Sequence, residues 1–147
     1  MGDQKEVRLS WAKLKGEAYQ HRFVAEALDS ELLVDKPVTD YPWDFTVRHP
    51  SDCKRTFNVQ VKGTNCLINS NGCTRYKICC KQGCRNKHTA LDPNVIDVAA
   101  LYVEATNTWY NIPVTAIAGV SVWLYPHKTD SKGQYECWRY DWSVYKT

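Results

Sequence analysis

The sequence from Thr56 to Lys62 is TFNVQVK, which alternates between polar and apolar side chains. Successive side chains of a strand project to opposite faces, so Phe57, Val59 and Val61 share one face of the predicted strand. The polar residues share the other face: Asn58, Gln60 and Lys62. We expect the apolar face to pack beneath a helix, which leaves the polar face for a different role.

A long helix precedes this strand. Apolar residues recur at three- and four-residue spacing, which predicts a helix from about Ser10 to Leu28 with Ser10 as its N-cap. The recurring residues are Trp11, Leu14, Ala18, Ala25 and Leu28. Glu17 lies beside this apolar stripe, where a carboxylate is costly unless it has a partner. Glu17 is therefore a candidate site residue.

The remaining segments predict a sheet. Further strands are expected at Trp43–Val47, Thr74–Lys81, Leu101–Glu104 and Trp109–Ile112. Arg48–Arg55 is polar and hairpin-like, and Ala105–Thr108 predicts a second hairpin connection. Asn94–Val103 is apolar and predicts a short helix that runs into a strand, with Asp97 capping or bracing that helix. This order of elements predicts an α+β or α/β fold.

The composition narrows the class of protein. The chain has 147 residues, 44% of them hydrophobic and 24% charged, which predicts a single globular domain over residues 1–147 rather than a disordered chain. The longest apolar run, Val98–Val103, is far too short to span a membrane, and the first fifteen residues lack the apolar segment of a secretory signal. Seven cysteines without such a signal predict a reducing, cytoplasmic location. The net charge of +3 permits a nucleic-acid partner without requiring one.

Four polar residues stand where burial is costly: Glu17, Asp44, Gln60 and Lys62. Gln60 and Lys62 share a strand face, and a hairpin would bring Asp44 within reach of them. Mg²⁺ prefers oxygen ligands and usually retains several waters, so Asp44, the Gln60 amide oxygen and Glu17, directly or through water, suffice for a pocket. Lys62 would then orient the attacking water and stabilise charge on a phosphate. The alternative is an Asp44–Lys62 ion pair, with Glu17 paired to His21 or a lysine.

The order Gly16-Glu17, Asp44 and Gln60-Val61-Lys62 resembles the motif of the PD-(D/E)XK nuclease superfamily. Two downstream segments resemble the second half of its small members, which include Holliday-junction resolvases and bacterial group I intron homing endonucleases. These segments are Ile96-Asp97 to Leu101-Tyr102-Val103 and Trp109-Tyr110-Asn111-Ile112-Pro113. The resemblance covers roughly Leu9 to Val114. It implies a restriction-endonuclease-like core, in which a central mixed β-sheet is flanked by helices.

By residue, the resemblance implies metal ligation by Asp44 and Gln60, metal or water contact by Glu17, and the catalytic lysine role for Lys62. The implied cofactor is Mg²⁺, with Mn²⁺ as a substitute. Two departures from the family pattern are present. Gln60 replaces the usual second acidic residue, which removes a charge and weakens metal affinity. One residue also separates Pro42 from Asp44.

A basic stretch follows the proposed active-site strand. Its cations are expected to contact duplex DNA through phosphates and groove edges. They are Arg75, Lys77, Lys81, Arg85 and Lys87. Arg75 and Lys77 alternate on one strand face, which also fits an ordinary solvated surface. Both interpretations stay open from the sequence.

The same region is rich in cysteine. Four potential zinc ligands are present: Cys66, Cys73, Cys84 and His88. No Cys-x2-Cys pair exists, and the spacings match none of the common zinc modules. Buried cysteines and a thiol-rich loop are therefore the competing interpretation of a structural Zn²⁺ site.

The predicted function is that of a Mg²⁺-dependent DNA endonuclease. A homing or similar site-specific role is slightly favoured over Holliday-junction resolution. A non-catalytic nucleic-acid-binding module on the same fold is the rival. One metal pocket cuts one strand at a time, so duplex cleavage predicts a homodimer or homotetramer. The aromatic tail, residues 116–147, would supply an interface, complete the monomer core or stack on unpaired bases.

Overall fold

The computed structural model describes residues 3–81, 89–128 and 133–146, with side chains from residue 11 onward and Ser70 without its side chain. Within these residues, one α-helix and eight strands form the framework. They are α1 (Asp3–Asp29), β1 (Leu33–Asp35), β2 (Phe45–His49), β3 (Asp52–Thr64), β4 (Leu67–Ser70), β5 (Cys73–Cys79), β6 (Val98–Val103), β7 (Thr108–Pro113) and β8 (Ser121–Leu124). Short 3-10 turns follow at Glu104–Thr106, Val114–Ala116, Glu136–Trp138 and Trp142–Lys146. Within the described part of the chain, no helix is long and apolar enough to cross a membrane.

The large sheet has the strand order β1-β2-β3-β6-β7. The β3–β6 pair is parallel, with Gln60 opposite Ala99 and Lys62 opposite Leu101, and the other pairs are antiparallel. The predicted hairpin after β6 is confirmed, since its turn contains Asn107 in the left-handed conformation at φ 49°. The mixed sheet with a helix on it confirms the predicted α/β class.

Two cores lie on the two faces of this sheet. Phe57, Val59 and Val61 face the core beneath α1, as their alternation predicted. The opposite face packs against a small antiparallel sheet of order β4-β5-β8, through residues such as Leu101 and Ile78. The polar side of β3 therefore faces the space between the two sheets.

The small sheet begins with a two-residue hairpin turn. Asn71 and Gly72 connect β4 to β5 with φ values of 53° and 74°. Positive φ at both central residues is the type I′ geometry, which matches the twist of paired strands and favours Asn-Gly. The sequence prediction placed only the second strand of this hairpin, although Asn-Gly is a strong local signal for both.

The helix α1 corrects two predictions. It begins at Asp3, so Ser10 lies inside it and is not an N-cap. The predicted apolar stripe also faces solvent, since Trp11, Leu14 and Leu28 are 64%, 60% and 55% exposed. The buried face instead carries Phe23 and Ala27. These residues are four apart, so they lie next to each other on the side of the helix that packs on the sheet. The Phe23 ring stacks on Phe45 of β2 and contacts Trp109 of β7 edge-on. These two ring contacts fix the orientation of α1 on the sheet.

The predicted helix in Asn94–Val103 is wrong. Residues 93–95 form a turn, and Val98–Val103 is a strand buried along its entire length. A strand covered on both faces is apolar at every position, so it lacks the alternation that identifies half-buried strands. Asp97 braces β3 rather than a helix, because its carboxylate accepts a 2.8 Å hydrogen bond from the backbone N–H of Asn58.

The aromatic tail packs on the large sheet. Tyr145 is buried and donates a 2.9 Å hydrogen bond to Asn111 Oδ1, and the Tyr110 hydroxyl donates to Glu136 Oε2 at 2.8 Å. Arg139 also donates to Glu136, which satisfies the buried carboxylate. These tail rings therefore complete the core of the chain, and a role at an interface stays a prediction.

Candidate active site

A cleft of about 630 Å³ opens between α1, the last residues of β3 and strand β5. Three of the four predicted site residues line it together: Asp44, Gln60 and Lys62. The alternation of β3 directs Gln60 and Lys62 to the same side, and the β2–β3 pairing brings Asp44 beside them. The predicted convergence of these three residues is present in the tertiary structure.

Asp44 is held in place by backbone hydrogen bonds to β3. It directly precedes β2, and its N–H donates to the carbonyl oxygen of Val59 at 2.9 Å. Its carboxylate oxygen Oδ2 accepts a 2.8 Å hydrogen bond from the N–H of Val61. The other oxygen, Oδ1, accepts from Gln20 Nε2 at 3.3 Å. The alternative Asp44–Lys62 ion pair is not among the ion pairs of the described residues.

Burial raises the pKa of the Asp44 carboxyl above its usual value. The Val61 hydrogen bond and the charges of Lys62 and Lys36 oppose this rise, while the Glu17 charge adds to it. A desolvated carboxylate is stabilised by a cation close to it. The carboxylate of Asp44 therefore fits a metal ligand.

Gln60 contributes an oxygen without a partner. Its amide Oε1 is buried, and no hydrogen bond reaches it from the described residues. A buried acceptor without a hydrogen bond costs about 1–3 kcal/mol, so such groups are rare in folded proteins. An amide oxygen is also a normal ligand for Mg²⁺. The orphaned oxygen lining the same cleft as the desolvated Asp44 fits a divalent cation.

Glu17 lies at the edge of this arrangement. Its side chain is exposed and lines a neighbouring depression with Gln20 and Asp44, rather than the cleft that contains Gln60 and Lys62. Glu17 and Asp44 line this depression together, and the charge of Glu17 raises the pKa of Asp44. Among the described residues, no group of three His, Cys, Asp or Glu side chains is placed to hold a metal. The predicted ligand set instead combines two carboxylates with one amide.

Two cleft residues were not predicted from the sequence. Gln20 orients Asp44, and it follows Glu17 by three residues, so a neighbouring position on the helix surface was the available signal. Tyr19 lies against Gly63, where a Cβ atom would be 2.4 Å from the ring. Glycine is therefore required directly after Lys62, because the helix packs so closely on the strand.

Glu104 connects the wall of the cleft to the hairpin after β6. It accepts hydrogen bonds from Lys15 Nζ at 2.5 Å, Tyr19 Oη at 2.8 Å and Asn65 Nδ2 at 2.9 Å. The hydrogen bond from Lys15 is the main reason that the pKa of Glu104 is lowered. Burial, together with the hydrogen bond to Glu104, raises the pKa of Tyr19 to about 12. No local sequence signal connects these residues, which lie on separate elements.

Three of the five predicted DNA-contacting residues are described. Arg75 and Lys77 lie on the outer face of the small sheet, and Lys77 also lines the cleft. Lys81 follows β5 and pairs through its backbone with Ala90. The predicted contacts Arg85 and Lys87 lie outside the described residues.

The predicted zinc ligands are only partly described. Cys66 and Cys73 are free thiols, the first exposed and the second half-buried. Cys84 and His88 lie outside the described residues. A structural Zn²⁺ site stays a prediction.

A family model described as PD-(D/E)XK endonuclease matches residues 11–143. The chain belongs to the PD-(D/E)XK endonuclease family. Membership identifies a nuclease that acts on DNA, in a family that generally uses divalent metals. Among solved structures, the chain is similar to the bacterial homing endonuclease I-Ssp6803I, with 24% sequence identity, a TM-score of 0.70 and 90% of each chain covered. This similarity confirms the restriction-endonuclease-like fold. No curated protein matches the chain.

Proposed function

We propose that this PD-(D/E)XK endonuclease hydrolyses phosphodiester bonds of duplex DNA with Mg²⁺, or Mn²⁺ in its place. The observation that supports it best is the buried, unpartnered Oε1 of Gln60 in the same cleft as Asp44. A decayed, non-catalytic module would gain stability by satisfying or removing that oxygen. A metal-binding role explains why it is retained.

Asp44 and Gln60 would hold the metal, and Glu17 would reach it directly or through water. A cation held there would supply positive charge beside the scissile phosphate. Lys62 lines the same cleft and would orient the water that attacks phosphorus. As the new P–O bond forms, the P–O bond to the leaving sugar oxygen breaks, and the proton lost by water balances the one that the leaving oxygen gains. The Lys62 ammonium group stabilises the negative charge that develops on the phosphate oxygens. The Val61 N–H keeps Asp44 oriented throughout, because this donor belongs to the strand backbone.

A site-specific, homing-type role is the more specific proposal. Its support is the fold similarity to a bacterial homing endonuclease together with the cations beside the cleft. Lys15, Lys62 and Lys77 all line the cleft, so a polyanionic backbone would meet positive charge on several sides. Junction resolution and DNA binding without cleavage are the alternative outcomes of the test below.

A homodimer or homotetramer is proposed because one cleft cuts one strand. Three apolar side chains of α1 are exposed: Trp11, Leu14 and Leu28. Contact with a second copy of the chain would bury this apolar stripe, which supports the proposed oligomer. Replacing Trp11 and Leu14 with serine should lower the mass measured by light scattering. The control is Val38→Ser, because Val38 is fully exposed and lies outside the stripe.

A reducing cytoplasmic location is also proposed. The six cysteines that the structure describes are free thiols, and burial raises the pKa of the Cys80 thiol to about 12. A thiol with a high pKa reacts slowly with oxidants and suits an internal packing role.

The experiment is an incubation of the protein with supercoiled plasmid, linear duplex and a four-way junction, each with Mg²⁺, Mn²⁺ or EDTA. Metal-dependent cutting of duplex at discrete positions is expected. Cutting confined to the junction would favour resolution, and binding without cutting in either metal would overturn the proposal.

The predicted phosphate contacts are tested by the salt dependence of DNA binding. Replacing Lys81, Arg85 and Lys87 together should flatten the slope of log K, where K is the DNA association constant, against log salt by about one unit per lost phosphate contact.

A further inference from the structure

The outer face of the small sheet carries three side chains in a row. Lys77 on β5 is directly opposite Trp123 on β8, and Arg75 lies two residues earlier on the same face of β5. Tyr76, which lies between Arg75 and Lys77, and Ile78, which follows Lys77, are buried in the core. Arg75, Lys77 and Trp123 therefore face away from the core, and we call them the Trp123 platform.

Arg75 is positioned by the indole ring. Its Cζ atom lies over Trp123 at 3.8 Å from the ring centroid, whereas Lys77 Nζ lies at 5.7 Å. The shorter distance is that of a guanidinium stacked on an aromatic face, which restricts its rotamers. Within the described residues, no hydrogen bond or ion pair engages this guanidinium. Its N–H donors are thus oriented by the ring and available to a ligand.

The platform is continuous with the catalytic cleft. Strand β5 belongs to both, since its residue Lys77 lines the cleft together with Lys62 and also lies on the platform. Two residues along a strand span about 7 Å, which is about two base-pair steps of B-DNA. A duplex whose scissile phosphate lies at Lys62 would therefore reach Lys77 first and Arg75 a few base pairs away from the cut.

The two cations suit different parts of DNA. An arginine fork matches the O6 and N7 acceptors of guanine, and the major groove admits a β-ribbon. A lysine ammonium is a compact point charge that suits a phosphate. We propose that Arg75 reads one guanine in the major groove near the cleavage site, and that Trp123 is a positioning residue that holds the guanidinium for this contact. This inference rests on the proposed duplex-DNA endonuclease function.

The test compares the duplexes that each variant enriches from a randomised 30-base-pair library in Ca²⁺ without Mg²⁺. The wild-type protein should enrich a guanine at one fixed position. The wild-type preference for guanine over other bases at that position should be roughly ten- to hundredfold. Arg75→Lys keeps the charge but loses the two parallel N–H donors of the guanidinium, so it should reduce this preference to about threefold or less. Trp123→Leu should weaken the same preference, and Trp123→Phe should retain most of it because an aromatic face remains.

The matched control is Arg55→Lys, since Arg55 lies over the Phe57 ring at 5.2 Å on the large sheet. It should leave base preference unchanged. If Trp123→Leu lowers the unfolding midpoint or the affinity for all sequences equally, with the guanine preference intact, the platform is structural and the inference is wrong. An unaltered preference in Arg75→Lys would also overturn it. If the wild-type protein neither enriches a sequence nor cuts duplex, the proposed function fails as well, so the two failures are distinguishable.

Discussion

The N–H of Val61 donates a 2.8 Å hydrogen bond to Asp44 Oδ2. Val61 lies between Gln60 and Lys62, and its own side chain is buried beneath α1. One residue of β3 therefore packs the core with its side chain and orients the acidic residue of the cleft with its backbone. Because a backbone donor supplies this contact, the position of Asp44 depends on the strand register and not on the identity of residue 61.

Lys62→Ala should reduce cleavage by a factor of about 100–1,000, because it removes a group that stabilises charge in the transition state. DNA affinity and the unfolding midpoint should change little, since the side chain is only half-buried. Single-turnover cleavage of a plasmid measures the effect. Lys54→Ala is the matched control, as Lys54 is an exposed lysine near the other end of β3. Undiminished cutting by Lys62→Ala would remove this residue from the mechanism.

Gln60→Met should raise stability in EDTA by about 1 kcal/mol, because it removes a buried oxygen that lacks a hydrogen bond. The same change should abolish the increase in melting temperature on adding Mg²⁺, since a thioether is a poor ligand for this cation. Gln60→Glu should restore or strengthen the Mg²⁺ response. Melting curves across a Mg²⁺ titration test this, and equal responses in all three proteins would show that Gln60 is not a ligand.

The pH dependence of cleavage should report on Asp44. Burial raises the pKa of its carboxyl, so activity should fall as the pH drops through that value and the ligand becomes protonated. A bound cation favours the charged form, and the acid limb should therefore move to lower pH as Mg²⁺ is raised. A limb that is independent of Mg²⁺ concentration would contradict this assignment.

Asp44→Asn should stabilise the metal-free protein, measured in EDTA, at neutral pH while abolishing cleavage in Mg²⁺. A carboxyl whose pKa is raised by folding binds its proton more tightly in the native state, so its charge destabilises the fold above that pKa. The penalty disappears well below the usual value of 3.8, where folded and unfolded forms are both protonated. The difference in melting temperature between variant and wild type should thus be positive at pH 7 and shrink in acid. Each kcal/mol corresponds to roughly 2–4 °C for a chain of this size.

Glu104→Gln should lower stability at neutral pH by roughly 0.2–1 kcal/mol, because the solvent-exposed ion pair with Lys15 is lost. The pKa of Glu104 is lowered in the folded protein, so its contribution is present above the usual value of 4.5 and disappears as the pH falls through the lowered value. Wild type and variant should therefore converge in strong acid. Glu26→Gln on α1 serves as the control, and a pH-independent difference for Glu104→Gln would show that its charge is not involved.

Gly63→Ala should destabilise the protein by about 1–3 kcal/mol and reduce cleavage, because the new Cβ would lie 2.4 Å from the Tyr19 ring. Removal of that ring should remove most of the penalty. A double-mutant cycle with Tyr19→Ala, followed by urea unfolding, measures the coupling. Additive effects would show that the helix does not pack on this glycine.

Local patterns predicted the elements that are exposed on one face. The alternation around Val59 identified β3 and its buried side, since a half-buried strand shows a period of two. The fully buried β6 has no such period and was predicted in part as a helix. The stripe containing Trp11 has helical spacing, and the helix is present, but that spacing alone does not show which apolar face meets the sheet.

The sequence by itself determined the strand with Gln60 and Lys62 on one face, the helix before it and the family resemblance, because each depends on periodicity or on the order of a short motif. Only the tertiary structure decided that Gln20 holds Asp44, that Glu104 connects Lys15 to the β6–β7 hairpin, and that Arg75 lies on Trp123. Those contacts join residues from 24 to 89 positions apart. Their partners are selected by the packing of α1 and the small sheet on the large sheet, and no local pattern encodes that packing.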